Sequence, residues 1–403
     1  MVLVRGRVFR RGETWSFVVD LPPGGDGRRR QRKKGGFRTR KEAEAALAAL
    51  LTDVQKGTVL EPSRQTLAAY LDDWLVSAAP SLRPTTVQGY ETAIRNWIVP
   101  RVGGLRLQEV TPQVLQRLCA ELSESGRHNG GGGLSPRSVK LAHTVLHLAL
   151  GRAALWRLIP GNPAALKLDL PRQVRREMTT WTAEEARRFL DATKDGRLAA
   201  LWVLMLGTGM RRSEALGLRW DAIDFARSWL AVVSTVVVVG SKPRLSEPKT
   251  PESRRVVHLD APVLTALRGQ RKRQAAEQLS AGPGWRESGL VFTSVVGGML
   301  DPHNVRRTFD LAIAKAGLPP IRLHDLRHTF ATLALGAGAH PKQVQEMLGH
   351  ADVSITLDIY AHVTDDMHRD AAERIGRLLF SPPLPADDVA ANRQPVSTRH
   401  ASR

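Results

Sequence analysis

Cysteine is nearly absent from this 403-residue chain. Its one thiol, Cys119, excludes an intramolecular disulfide framework and any zinc site built on several cysteines. Cys119 sits in QVLQRLCAEL, a helical pattern that makes it a small core residue. Long apolar runs are missing as well. The stretch Leu198–Leu206 near the middle is far too short to cross a bilayer. The N-terminus is mixed in charge and strand-like, unlike a signal peptide. The expectation is a soluble, cytoplasmic chain with no membrane partner, nucleoid-associated when bound. Acidic residues are scarce, 39 Asp+Glu against 59 Lys+Arg, for a formal net charge of +20. Such a chain is drawn to polyanions, and nucleic acid is the default partner. Tyrosine is rare, three in all, so the place of each carries weight. No internal repeat is visible.

What remains reads as several domains. In residues 1–60, VLVRGRVFRRG and TWSFVVDL alternate as strands do, PPGGDG turns, and RRRQRKKGGF forms a third, basic strand. Thr39 and Glu42 fit a capping box for the helix that follows. Residues 28–34 hold six basic side chains in seven, a pattern suited to DNA backbone or groove contact. Residues 64–170 show apolar positions at helical spacing throughout, with Trp74, Trp97 and Trp156 as core residues and HNGGGG as a flexible insert. Prolines 160, 163 and 171 punctuate a linker. Residues 177–380 form the largest unit. Thr182 and Glu185 make a capping box, helices are expected over 198–206 and 211–218, and WLAVVSTVVVV over 229–239 reads as one strand. RRVVHLD (254–260) is a second strand, with a hairpin region between them. Asp301-Pro302 should start a helix, and Gly349 should end one in the left-handed conformation. Residues 381–403 are rich in Pro, Ser and Arg and read as a disordered tail.

The chemistry-bearing residues lie in that last large unit. Arg211 and Glu214 stand at i and i+3, which would place them on one helix face after the Gly207-Thr208-Gly209 break. His324, Arg327 and His328 in LHDLRH share another helical stripe. His324 can donate to a phosphate oxygen or move a proton. Arg327 can grip the same phosphate from the side opposite Arg211, and two guanidiniums would stabilise a pentacoordinate transition state. Zinc is the rival reading of two histidines at i, i+4, but position 325 is Asp where the zinc-protease motif has Glu. Lys249 in EPKTPESRR lies where a hairpin tip could deliver a proton to a departing 5′ oxygen, with Lys242 competing for that role. His350 follows a helix end, and Tyr360 stands ten residues later. A phenol can attack phosphorus and remain attached as a phosphotyrosine ester, given arginines and a proton acceptor nearby.

Taken in order, TGMRRSEALGLRW, PKTPESRR, LHDLRHTFATLAL and LGHADVSITLDIYAHV resemble the tyrosine recombinases of the phage-integrase type. The resemblance implies that Arg211, His324, Arg327 and His350 activate the scissile phosphate, Lys249 is the general acid and Tyr360 the nucleophile. It implies a multidomain α+β fold: an N-terminal three-stranded sheet plus helix, an all-helical core-binding domain, and a mainly helical catalytic domain with a small antiparallel sheet. Residues 1–60 would be an arm-type DNA-binding domain, 64–170 the DNA clamp and 177–380 the catalytic domain. The arm-like module favours an integrase of a phage or integrative element over a chromosome-dimer resolvase. The implied partners are double-stranded DNA at core and arm attachment sites, three further copies in a homotetramer, and a DNA-bending or excision factor. HRDAAERIGRLLF (368–380) has the amphipathic pattern for docking on a neighbour. No cofactor is implied, neither metal nor ATP. The alternatives are a non-catalytic DNA-binding regulator, a type IB topoisomerase and, last, a metal nuclease.

Overall fold

The computed structural model describes residues 6–21, 30–55, 63–127, 130–172, 178–248 and 254–349. The chain divides into two compact units, Met1–Arg175 and Arg176–Arg403. The fold is mixed α+β, mainly helical, with small antiparallel sheets.

The first unit opens with an antiparallel meander of β1 (Gly6–Arg11), β2 (Thr14–Leu21) and β3 (Arg30–Phe37). Gly12, at a positive φ of 61°, makes the β1–β2 turn. Phe17 and Val19 sit two apart on β2, so both face the helix α1 (Arg40–Gln55) and meet Leu47 there. The opposite character lies on β3, whose Arg32, Lys33 and Lys34 are exposed. Their stems are not loose: the Lys33 ammonium lies 5.0 Å above the Phe9 ring and that of Lys34 lies 5.9 Å above Phe37. The expected capping box is shifted by one residue. Thr39 Oγ1 accepts from the Glu42 N–H at 3.2 Å, but the Glu42 carboxylate accepts from the Arg38 N–H instead of that of Thr39.

A separate apolar core in the same unit is built by α2 (Leu67–Ala78), α3 (Pro84–Thr92), α4 (Val99–Val102), α5 (Pro112–Ser125) and α6 (Pro136–Leu155). A π-helical turn, Ala93–Ile98, joins α3 to α4, so the expected single helix is continuous but locally widened. Thr66, Thr111 and Ser135 cap α2, α5 and α6 by accepting from N–H groups three residues on. Cys119 is buried among Leu115, Leu118 and Leu122, and burial pushes its thiol pKa up. Trp74 belongs to this core and Trp97 packs against it, but Trp156 is 50 % exposed. Trp156 falls just past the end of α6, off its apolar stripe, and the Arg152 guanidinium covers its ring at 5.7 Å.

The second unit contains α7 (Ala183–Thr193), α8 (Ala199–Thr208), α9 (Arg212–Leu216), β4 (Ile223–Asp224), β5 (Trp229–Ala231), β6 (Thr235–Val239), β7 (Lys242–Ser246), β8 (Val256–His258), α10 (Ala261–Ala281), α11 (Pro302–Ala316), α12 (Asp325–Gly336) and α13 (Pro341–Leu348). α8 is apolar on nearly every side because α7, α10 and α12 all pack on it. Trp181, Phe189, Trp202 and Phe309 form an aromatic cluster beside it, with ring centroids 5.0–6.1 Å apart. The Thr182–Glu185 capping box, the Asp301 cap and the left-handed Gly349 at φ 63° form as expected. The single strand expected over 229–239 does not. It splits into β5, which pairs with β4 and β8, and β6, which pairs only with β7 among the described residues. At the break the chain crosses the end of α9. Ser234 Oγ donates to the Gly217 carbonyl, and a Cβ on Gly217 would come within 2.8 Å of Thr235 Cα. β-branching alone cannot foresee that crossing. Among the described residues, no helix is long and apolar enough to cross a membrane.

Candidate active site

Charged groups gather where α8 ends. Gly209 terminates α8 at φ 63°, and a Cβ there would lie 2.5 Å from both Leu348 and Phe330. Only glycine meets the backbone angle and the close approach of α12 and α13 together. The chain then runs extended through Arg211 before α9 begins at Arg212. Arg211 is therefore the N-cap of α9, with φ −67° and ψ 146°, not a residue on the helix face that i, i+3 spacing suggested. Glu214 reaches back to it, accepting from the Arg211 N–H at 2.9 Å and from Nη1 at 2.7 Å.

Glu214 is 2 % exposed and binds a second guanidinium, Arg255 Nη2, at 3.0 Å. Burial alone would raise its pKa, but Arg255 and Arg211 outweigh that and hold it below the usual carboxylate range. Three arginines then reach the C-terminal end of α13, each to a different carbonyl. Arg255 Nε donates to Met347 at 2.7 Å, Arg327 Nη2 to Leu348 at 2.7 Å, and Arg211 Nη2 to Gly349 at 3.3 Å. A helix C-terminus has unsatisfied carbonyls and partial negative charge, so guanidiniums belong there.

The three are not equivalent. Arg327 is 1 % exposed and spends Nη1 on the Gly209 carbonyl at 2.9 Å. Burial first, then the charges of Arg211 and Arg255, lower its pKa to about 9, against the pull of Glu214. It remains cationic at neutral pH. Arg211 keeps 32 % of its side chain exposed, so it is the one of the three that solvent reaches most.

His324 stands at the N-cap position of α12 without a side-chain capping bond, and its ring meets His328 edge-on at 5.2 Å. Desolvation, His328 and Arg327 bring its pKa down to about 4, so the ring is neutral at pH 7. A neutral imidazole offers one donor and one acceptor. His328 is also shifted down, by burial first, and its Nδ1 finds no hydrogen-bond partner among the described residues. The charge of Asp325 partly offsets the downward shift of both histidines, but its hydrogen bonds go elsewhere. Its carboxylate accepts from Arg322 N–H, Nε and Nη2 at 2.7–2.9 Å. No group of three metal-ligating side chains occurs among the described residues.

The structure thus brings Arg211, His324 and Arg327 together. Lys249, His350 and Tyr360 lie outside the described residues. Lys242, the competing lysine, is exposed at the β6–β7 hairpin tip, where Gly240 and Ser241 both take positive φ. Arg255 escaped the sequence reading. Nothing in SRRVV separates it from Arg254, which is 58 % exposed and pairs with Glu247.

The model of the phage integrase family matches residues 179–367, that of an arm DNA-binding domain residues 8–54, and that of the phage integrase N-terminal SAM-like domain residues 66–123. A tyrosine recombinase XerC-like protein of Caldanaerobacter subterraneus subsp. tengcongensis is 30 % identical over 368 residues, covering 87 % of this chain and 92 % of its own. The chain belongs to the tyrosine recombinase family. The ICEBs1 integrase of Bacillus subtilis, 25 % identical, covers 85 % of the recombinase and 91 % of its own length. The fold is shared with the Tn1549 transposon integrase solved with a circular intermediate DNA, at TM-score 0.64 and 22 % identity over 77 % of this chain and 99 % of that one. It is shared too with a lambda integrase tetramer solved on a Holliday junction, at TM-score 0.54 and 18 % identity over 87 % of this chain and 94 % of that one.

Proposed function

We propose that this recombinase cuts and rejoins double-stranded DNA through a 3′-phosphotyrosyl intermediate, integrating or excising a mobile element. The observation that carries the reading is Arg211. It is partly exposed, locked by a buried carboxylate, and set beside a neutral imidazole and a buried second arginine. The extra negative charge of a pentacoordinate phosphorus would be stabilised there without reorganisation.

Tyr360 Oη attacks phosphorus, a new P–O bond forms, and the bond to the 5′ oxygen breaks. The phenol proton passes to a general base, while the neutral His324 ring donates its N–H to the scissile phosphate. Lys249 gives a proton to the departing 5′ oxygen, and His350 donates to the phosphate. The 5′-hydroxyl of a partner strand then reverses the step. One phosphoester is exchanged for another, so no nucleotide is consumed.

In this reading residues 1–60 bind arm sites, 64–170 clamp the core site, 177–380 carry the chemistry and 381–403 form a tail. The basic β3 face supports the first assignment. Four copies would assemble on two sites in the cytoplasm, with a DNA-bending or excision factor setting direction. The test is covalent capture: denature the recombinase with its flanking DNA in detergent, recover protein-bound ends and sequence them, with Tyr360→Phe alongside. Discrete ends that vanish in Tyr360→Phe support the reading. Scattered ends indicate a topoisomerase, and intact binding without adducts indicates a regulator.

A further inference from the structure

We propose that Arg255 is a positioning residue for DNA cleavage: it clamps Glu214 to the end of α13 and so fixes Arg211 without touching DNA. The proposal rests on the strand-cleavage reading above. It starts from the division of labour among the three arginines at the end of α13. Arg255 has 7 % of its side chain exposed, and both its Nε and an Nη are spent on protein acceptors. Its backbone is fixed as well, because the Arg255 carbonyl accepts from the Val232 N–H at 2.9 Å, continuing the β5–β8 pairing. From that anchored strand the side chain spans two other elements: Glu214 on α9 and the Met347 carbonyl of α13.

Glu214 is the shared part. Its Oε2 accepts from Arg255 and from the Arg211 N–H, while Oε1 accepts from Arg211 Nη1. The carboxylate cannot turn toward one guanidinium without moving against the other. Arg255 therefore sets the plane of Glu214, and Glu214 sets the direction of Arg211. It also ties Met347, three residues before His350 in sequence, to the same carboxylate. A lysine could hold one of these acceptors, but not both in the fork geometry that a planar guanidinium offers. Arg254 supplies the control: same residue type, next in sequence, but turned outward onto Glu247.

The test uses the full-length recombinase and the crossover duplex recovered by Tyr360-dependent capture. Single-turnover cleavage is measured at saturating DNA for wild type, Arg255→Lys, Arg254→Lys, Glu214→Gln and the Arg255→Lys/Glu214→Gln double variant. Affinity is measured for each in a Tyr360→Phe background. Arg255→Lys should cleave at least about tenfold slower with affinity within about twofold of wild type, and Arg254→Lys should cleave normally. The double variant should be no slower than the slower single one, because both changes break one linkage. Wild-type cleavage by Arg255→Lys overturns the proposal. So does a rate loss matched by weaker binding, or a double variant slowed by the product of the single effects. Arg255→Gln takes the place of Arg255→Lys if the latter loses its cooperative melting transition. If wild type itself leaves no Tyr360-dependent adduct, the strand-cleavage reading falls first and the clamp falls with it.

Discussion

The first sheet and the Glu214 cluster use cationic side chains in opposite ways. On β3, the exposed Lys33 and Lys34 hold their ammonium groups over the rings of Phe9 and Phe37, still open to solvent. Around Glu214, Arg255 and Arg327 are buried, and their guanidiniums donate to Glu214 and to the carbonyls of Met347, Gly209 and Leu348. Exposed charges are screened by salt and tolerate displacement, which suits attraction to a polyanion. Buried charges are costly to bring in but hold direction once paired, which suits a site where an arginine must point at one phosphorus. Position in the fold separates the two uses together with residue type, since the buried site needs the planar fork of arginine.

The sharpest way to break this contrast is to remove the shared carboxylate. Glu214→Ala leaves buried guanidiniums uncompensated and should cost about 3–5 kcal/mol of folding stability, read by urea denaturation. A loss under about 1 kcal/mol would mean that the cluster is wetter than its burial indicates. Arg211→Ala comes next. It should lose on the order of 3 kcal/mol of transition-state stabilisation while DNA binding persists, measured by single-turnover cleavage. Normal cleavage by that variant would remove Arg211 from the phosphate site.

Acidification separates the regions by pH. The histidine pKa values at the start of α12 are depressed, that of His324 to about 4. A depressed folded pKa means the stability is complete above the unfolded value, about 6.5, and is lost as pH falls toward the folded one. The second unit should therefore weaken between about pH 6.5 and 4, before Glu214 and Asp325, whose pKa values are also lowered, begin to protonate. Urea midpoints across that range check this, and His328→Gln should flatten the profile. An unchanged profile would show that these rings are freely hydrated.

The first sheet should respond to salt instead. Lys33→Ala and Lys34→Ala should each reduce the slope of log affinity against log salt for arm-site DNA by about 0.9 if the side chain meets a phosphate. Folding should hardly change. An unaltered slope would take β3 away from the DNA. The smallest effect belongs to Arg40→Ala. Its i, i+4 pair with Glu44 is exposed at both ends, and stability should move by under about 0.5 kcal/mol in thermal melts.

Much of this was legible in the residues. Helices in both units follow apolar spacing, and caps at Thr182, Asp301 and Gly349 need only local chemistry. These are interactions between residues a few positions apart, so a linear reading reaches them. The motif order from TGMRRSE to DIY named the family for the same reason: side-chain types at fixed intervals survive being read as text. Where the reading failed, a distant element decided. The strand over 229–239 breaks because Gly217 lies against Thr235. Trp156 is exposed because α6 ends before it.

The sequence by itself determined the charge, the helical pattern and the residue types from which a phosphate site can be made. Only the tertiary structure decided which cations became buried and directed. Arg254 and Arg255 are identical neighbours, yet one faces solvent and the other joins α9 to α13. Burial and pairing depend on what the fold carries to a side chain from far along the chain, and that information is not present in either residue or its neighbours.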